Sequence, residues 1–324
     1  MLKNKNILIT GGAGFIGTHL FETLIKNDNY IVLIDNFNEC YYTGKEENLA
    51  SVTKNYETLR DYRLIKGDLL NKSIYNDIPS DIDVIFHLAA HAGVQYSMLN
   101  AEKVTRNNIL GFVNILEFAL KKEIEKLVYA SSSTVYGNPT YTPVDEDHPK
   151  NPVCPYGLSK LCGEIYAEYY FREYSIPITS LRFYSVYGPR GRPDMVVGIF
   201  FNRIFQNKEL IINGDGEQLR DFTYVSDIIN GLILSSEKKE SSGQAFNLGL
   251  SNPISINQLV DKIYDIADKP KKVKYGDKKK GDMEITHADI TKATKILNYK
   301  PKVDIDTGLK KTYQWYLERL KTKE

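Results

Sequence analysis

The segment Gly11-Gly12-Ala13-Gly14-Phe15-Ile16-Gly17 stands directly behind an apolar run at 6–10 and opens a stretch whose apolar residues recur at helical spacing. Glycines three apart at a strand-to-helix turn let the chain reverse tightly. They also bring backbone amides and a helix N-terminus against a pyrophosphate. A strand, a glycine turn and a helix in that order imply a crossover connection and a parallel sheet. Such a loop can also be glycine-rich for turn geometry alone, so the context matters. Asp35 closes the second apolar run, where a carboxylate accepts from the hydroxyls of an adenosine ribose and repels a 2′-phosphate. The expected cofactor is therefore NAD rather than NADP. Asp68-Leu69, after the third run, falls near the adenine; a turn or cap role is the alternative for Asp68.

Further β-rich runs at 30–34, 62–66, 84–88, 126–130 and 178–183 alternate with amphipathic stretches at 15–26, 105–121 and 156–174. This is the pattern of an α/β fold with a doubly wound parallel (Rossmann) sheet. The stretch Ile109 to Leu116 is apolar on nearly every face, more than one sheet face covers, and a second subunit is expected against it. After Phe183 the pattern breaks into Gly/Pro-rich loops and short mixed elements, with a final amphipathic helix at 307–320. The division expected is 1–183 as the NAD-binding domain and 184–324 as a smaller mixed α/β substrate-binding lobe, interleaved, with segments around 222–250 returning to the first. The basic stretch 271–280 reads as solvated surface. With 42 Lys plus Arg against 41 Asp plus Glu, the net charge of +1 offers no field for nucleic acid or an anionic membrane. The short apolar run near the N-terminus suits neither a signal peptide nor a span, so a cytoplasmic protein is expected. Cys40, Cys154 and Cys162 form no C-x-x-C pair and read as incidental thiols, with no metal site expected. His148 and His287 have no metal partners in the sequence and read as structural.

Tyr156-Gly157-Leu158-Ser159-Lys160 sets a phenol and an ammonium four apart at a helix start, so both face one way. Lowering a phenol from about 10 to about 7 takes roughly 4 kcal/mol in favour of the phenolate. A lysine and an oxidised nicotinamide in a partly dry cleft can supply it. Such a string also occurs by chance on helix surfaces. Ser131-Ser132-Ser133-Thr134 follow the fifth β-run and place hydroxyls at a strand's carboxyl end, where sites on such sheets lie. Arg192 and Arg220 read as phosphate clamps, with surface ion pairs as the alternative.

Together with Leu88-Ala89-Ala90, Asn107-Asn108, Val135-Tyr136-Gly137 and Arg220-Asp221-Phe222, these motifs resemble the extended short-chain dehydrogenase/reductases that act on nucleotide sugars. Ala92-Gly93-Val94 and Gly188 to Met195 look most like the UDP-glucuronate 4-epimerases within that group. The resemblance implies that Tyr156 is the base, that Lys160 lowers its pKa and holds the nicotinamide ribose, and that Ser132 bonds the sugar oxygen. It also implies a cofactor set of Gly11, Gly14, Phe15, Ile16, Gly17, Asp35, Asn36, Asp68, Leu69, Leu88, Ala89, Ala90, Asn108, Tyr156, Lys160 and Phe183. The implied UDP-sugar set is Ser132, Ser133, Thr134, Tyr156, Ser185, Arg192, Arg220 and Asp282. The family pattern departs at His91, usually Gln, and at Gln95, usually Arg.

The activity implied is a 4-epimerase working through a transient 4-keto sugar, as a homodimer. The preferred substrate is UDP-glucuronate, with UDP-glucose or UDP-N-acetylglucosamine as the alternative. Related 4,6-dehydratases carry Asp-Glu, and uronate decarboxylases Glu, in the loop where this chain has Ser133-Thr134. A non-catalytic dinucleotide-binding regulator would keep the glycines and lose the phenol and ammonium.

Overall fold

The computed structural model describes residues 2–39, 44–279 and 281–321. Strands β1 (Asn6–Thr10), β2 (Tyr30–Asp35), β3 (Tyr62–Lys66), β4 (Val84–His87), β5 (Lys126–Ser132) and β6 (Ile178–Phe183) lie in one parallel sheet. A seventh strand, Gln244–Leu248, pairs parallel with β6, so the chain returns to this sheet after leaving it. Along the sheet the order is Gln244–Leu248, β6, β5, β4, β1, β2, β3. Every strand is parallel because each connection crosses over through helix or loop.

Successive residues of β1 divide between two cores. Ile7 and Ile9 pack with Leu33, Phe86, Val128 and Leu181, whereas Leu8 packs with Val32, Ile34, Ile85 and Leu127 on the opposite face. A sheet covered on both faces favours apolar residues on both, which is why β1, β2 and β4 read as nearly continuous hydrophobic runs. The chain winds outward in both directions from β1, leaving a crevice beyond the carboxyl ends of β1 and β4.

Several boundaries differ from the sequence reading. The first helix is Phe15–Leu24 and tightens into a 3₁₀ turn at Ile25–Asn27. The expected helix at 105–121 is composite: Ala101–Thr105, a π-helical stretch Arg106–Leu110, then Gly111–Leu120. The helix expected at 156–174 is Pro155–Tyr174. It starts on Cys154, whose Sγ accepts from the Gly157 amide at 3.4 Å, and stops at Ser175 in the left-handed region. The basic stretch 271–280, expected as solvated surface, contains the strand Val273–Gly276, paired with Leu210–Asn213. The stretch is solvated as expected, with Lys271, Lys272, Lys274, Lys278 and Lys279 exposed and Tyr275 exposing 53% of its surface; Lys279 also borders the central cleft, and Lys280 lies outside the described residues. The final helix is Ile305–Lys321.

Cys154 is buried, Cys162 half-buried, and Cys40 lies outside the described residues. Among the described residues no helix is long and apolar enough to cross a membrane, and no group of three His, Cys, Asp or Glu could hold a metal.

Candidate active site

The cleft over the carboxyl edge of the sheet has a volume of ≈ 600 Å³. It is lined by Gly11, Gly14, Phe15, Ile16 and Gly17 at one wall, and by Asp35, Asn36, Asp68 and Leu69 at the ends of β2 and β3. Leu88, Ala89 and Ala90 follow from β4, and Ser132, Ser133, Thr134, Phe183 and Ser185 from β5 and β6. Tyr156, Lys160, Arg192, Arg220 and Asp282 complete the candidate set.

The glycines make a cradle that side chains would fill. A Cβ on Gly17 would meet the Gly11 carbonyl oxygen at 2.2 Å, one on Gly14 would meet it at 3.1 Å, and Gly11 itself has φ +72°. The helix Phe15–Leu24 therefore seats directly on the turn and aims its N-terminus into the cleft, as a dinucleotide's pyrophosphate requires. Asp35 accepts from the amides of Ala13 at 3.2 Å and Phe37 at 2.8 Å, and from Lys45 Nζ at 3.1 Å. The residues present fit NAD on these grounds.

Tyr156 and Lys160 sit one turn apart on the helix Pro155–Tyr174, with Lys160 Nζ 5.9 Å from the Tyr156 ring centre. The ammonium donates to the Ala130 carbonyl at 2.6 Å, and burial pulls its pKa down to about 7 against the opposing pull of Glu164. Thr134 donates to Ser132 Oγ from its hydroxyl at 2.9 Å and from its amide at 3.3 Å, fixing the serine at the end of β5. Asn108 does not line the cleft. From the π-helical stretch its carboxamide takes both backbone groups of His91, accepting from N at 2.7 Å and donating to O at 3.1 Å, and donates to Ser159 Oγ at 2.9 Å. It thus ties the strand-end loop to the helix Pro155–Tyr174 from behind, out of a π-helical turn of the kind frequent at functional sites. His91 stacks on Tyr96 at 5.9 Å; burial, then the Lys103 and Lys45 charges, lower its pKa, so its imidazole is neutral at pH 7.

Arg220 and Asp282, singled out separately, meet at 2.5 Å. Arg192 is held by Asp194, Nε to Oδ1 at 3.0 Å and Nη2 to Oδ2 at 2.6 Å, and donates to the Ala92 carbonyl at 3.3 Å. His148 is structural: its Nε2 accepts from the Thr140 amide at 2.9 Å while Nδ1–H donates to the Pro149 carbonyl at 2.8 Å.

Three participants escaped the sequence reading. Lys45 pairs with Asp35. Glu164 lies on the helical face of Tyr156 and Lys160, two turns on, and a strict four-residue count along that helix would have found it. It accepts from Ser131 Oγ at 2.5 Å and from Arg182 Nε and Nη2 at 2.9 and 2.7 Å, a buried pair behind the ends of β5 and β6.

A parallel sheet ending in a glycine cradle, with a buried ammonium one helical turn from a phenol at its carboxyl edge, defines a dinucleotide-dependent enzyme acting at a hydroxyl-bearing carbon. The chain belongs to the NAD dependent epimerase/dehydratase family, whose model matches residues 7–249. A UDP-glucuronate 4-epimerase of Thermodesulfobacterium geofontis is 37% identical over 97% of this chain and 96% of its own. A UDP-glucuronic acid 4-epimerase of Bacillus cereus, solved with UDP-glucuronic acid and NAD, superposes with a TM-score of 0.89 at 34% identity, covering 97% and 99% of the two chains. A UDP-N-acetylglucosamine 4-epimerase of Methanobrevibacter ruminantium, solved with UDP-N-acetylmuramic acid, gives 0.90 at 33% over 98% and 100%.

Proposed function

We propose that the chain interconverts UDP-glucuronate and UDP-galacturonate through a 4-keto sugar. Residues 1–183 then form the NAD-binding domain, with segments around 222–250 returning to it, and most of 184–324 holds the UDP-sugar, interleaved. Tyr156 takes the 4-hydroxyl proton and gives it back, Lys160 stabilises the phenolate, and Ser132 holds the reacting oxygen. When bound, NAD accepts the C4 hydrogen as hydride and returns it to the other face of the ketone.

The observation that carries the uronate reading is the set of neutral hydroxyls, Ser132, Ser133, Thr134 and Ser185, lining the cleft with Tyr156. Oxidising C4 of a uronate gives a β-keto acid, which loses carbon dioxide when its carboxylate bond stands perpendicular to the carbonyl plane. Hydroxyls gripping both carboxylate oxygens block that rotation without offering an acid for elimination. One observation favours a neutral UDP-hexose instead: Asp194 occupies the Arg192 guanidinium, and Gln95 in the same cleft adds no charge. Assays of UDP-glucuronate, UDP-glucose and UDP-N-acetylglucosamine side by side, with C4 configuration read by NMR, test the choice. A higher kcat/KM for either neutral sugar overturns it.

The working unit in this reading is a homodimer in the cytoplasm. Leu110, at the end of the π-helical stretch, exposes 52% of its surface, and Leu158, Ile165 and Tyr169 on the helix Pro155–Tyr174 expose 53%, 59% and 42%. Covering such a face removes large apolar side chains from water.

A further inference from the structure

We propose that His19, Glu22 and Arg190 form a latch by which the helix Phe15–Leu24 holds the loop 188–195 in the position that binds the UDP-sugar. The inference rests on the reading that the later part of the chain holds that substrate. Phe15, His19 and Glu22 stand at i, i+4 and i+7 on one face of the helix, and the Phe15 and His19 rings meet edge to face at 5.7 Å. Arg190 reaches this face from 171 residues beyond His19. Its Nη2 donates to His19 Nδ1 at 2.9 Å and to Glu22 Oε2 at 2.6 Å, while the other edge of the imidazole donates from Nε2 to the Pro189 carbonyl at 2.8 Å. A guanidinium only donates and a carbonyl only accepts, so one neutral tautomer, protonated at Nε2, serves both ring nitrogens. Burial, then the Arg190 charge, lower His19 to about 4 and keep the ring in that form. Arg190 holds Glu22 below the usual carboxylate range against the opposing effect of burial.

The loop needs an anchor outside itself. Arg190 has φ +60°, in the left-handed region that disfavours a residue with a Cβ and persists where surrounding contacts fix it. The turn around it has little slack: the Gly191 amide donates to the Gly188 carbonyl at 3.1 Å, and a Cβ on Gly191 would meet that oxygen at 2.8 Å. Two residues past the latch, Arg192 lines the cleft and donates to the Ala92 carbonyl at 3.3 Å. The loop then runs into the helix Val196–Phe205, of which Val196, Val197, Ile199 and Phe200 line the same cleft. The Arg192–Asp194 pair stays within the loop, whereas Pro189 and Arg190 fasten it to the helix that opens at the glycine cradle. A shift at Arg190 therefore carries to Arg192 and to the cleft wall behind it, which makes Arg190 a positioning residue for the substrate side.

The test binds UDP, the part common to the candidate substrates, to the NAD-loaded protein in a calorimeter and measures NAD content on the same samples. Arg190→Met keeps the stem and removes the guanidinium. It should weaken UDP binding about tenfold with NAD content unchanged, and in turnover of whichever UDP-sugar the protein epimerises KM should rise while kcat stays within about twofold of wild type. Arg190→Lys restores a charge for Glu22 and should recover much of the affinity. Glu22→Gln alters a part-exposed side chain, should weaken UDP binding a few-fold, and keeps the proposal testable where Arg190→Met does not fold. Wild-type UDP affinity in Arg190→Met, or in Glu22→Gln where that variant is the one that folds, would overturn the latch. A loss of NAD equal to the loss of UDP would also overturn it, because the three residues would then support the cleft as a whole. A wrong choice of sugar leaves the UDP measurements standing, whereas wild-type protein that binds no UDP would overturn both readings.

Discussion

Lys160→Met removes the ammonium while keeping the length and apolar stem of the side chain. The structure sets the size of the effect. With Nζ 5.9 Å from the Tyr156 ring centre, an ammonium and a phenolate attract by about 2.8 kcal/mol at an effective dielectric of about 20, or about two pKa units. The attraction is mutual. Burial, against the opposing pull of Glu164, brings Lys160 down to about 7, and a phenolate beside it raises it again, so the two groups titrate as a coupled pair. Without the ammonium the phenolate loses that share of its stabilisation. The acid limb of kcat/KM should move about two units toward alkaline pH, costing roughly 100-fold at neutral pH and recovering as pH rises. The assay is initial epimerisation rate from about pH 6 to pH 10, with bound NAD measured on the same samples. A slower enzyme whose acid limb stays within about half a unit of wild type would refute the electrostatic argument and leave Lys160 a purely positional role.

In the proposed mechanism the phenol oxygen is the proton acceptor, so Tyr156→Phe should lower kcat by about 100-fold or more while calorimetric binding of the UDP-sugar persists, its ring staying in place. Glu164→Gln leaves the Arg182 guanidinium buried without its carboxylate and should cost roughly 3 kcal/mol, read as a lower Tm. Pairing it with Arg182→Met should restore much of the loss, and no restoration would show that the cost lies elsewhere. Leu158→Asp with Ile165→Asp should convert a sedimenting dimer to monomer at micromolar concentration, and a wild-type protein that already sediments as monomer would refute the dimer.

The elements legible in the sequence were those in which local and global demands coincide. The inner strands of a sheet covered on both faces are largely apolar, so β1, β2 and β4 showed as runs, and the glycine turn showed because no side chain fits against the Gly11 carbonyl. The strand Gln244–Leu248 was less visible, its first two positions being only partly buried at the sheet edge. The π-helical stretch left no periodic mark, since one added backbone residue disturbs the helical pattern by less than the scatter of an apolar segment.

At the site, the residues found from sequence were those whose chemistry is local: Tyr156 with Lys160 on one helix, and Ser132 to Thr134 on one turn. The residues missed depend on partners in other elements, as Glu164 does on Arg182 of β6 and Lys45 does on Asp35 of β2, and the role of Asn108, named from sequence as a cofactor residue, turned on its bonds to the distant backbone of His91. Arg192 shows the same limit from the other side. Its guanidinium was readable as a charge for substrate, but the carboxylate holding it stands two residues on, and sequence does not say which way that loop turns. The choice between a uronate and a neutral hexose depends on that turn. A substrate carboxylate must compete with Asp194 for the guanidinium, whereas a hydroxymethyl group need not, so the sugar assay also reports whether the Arg192–Asp194 pair opens when substrate binds.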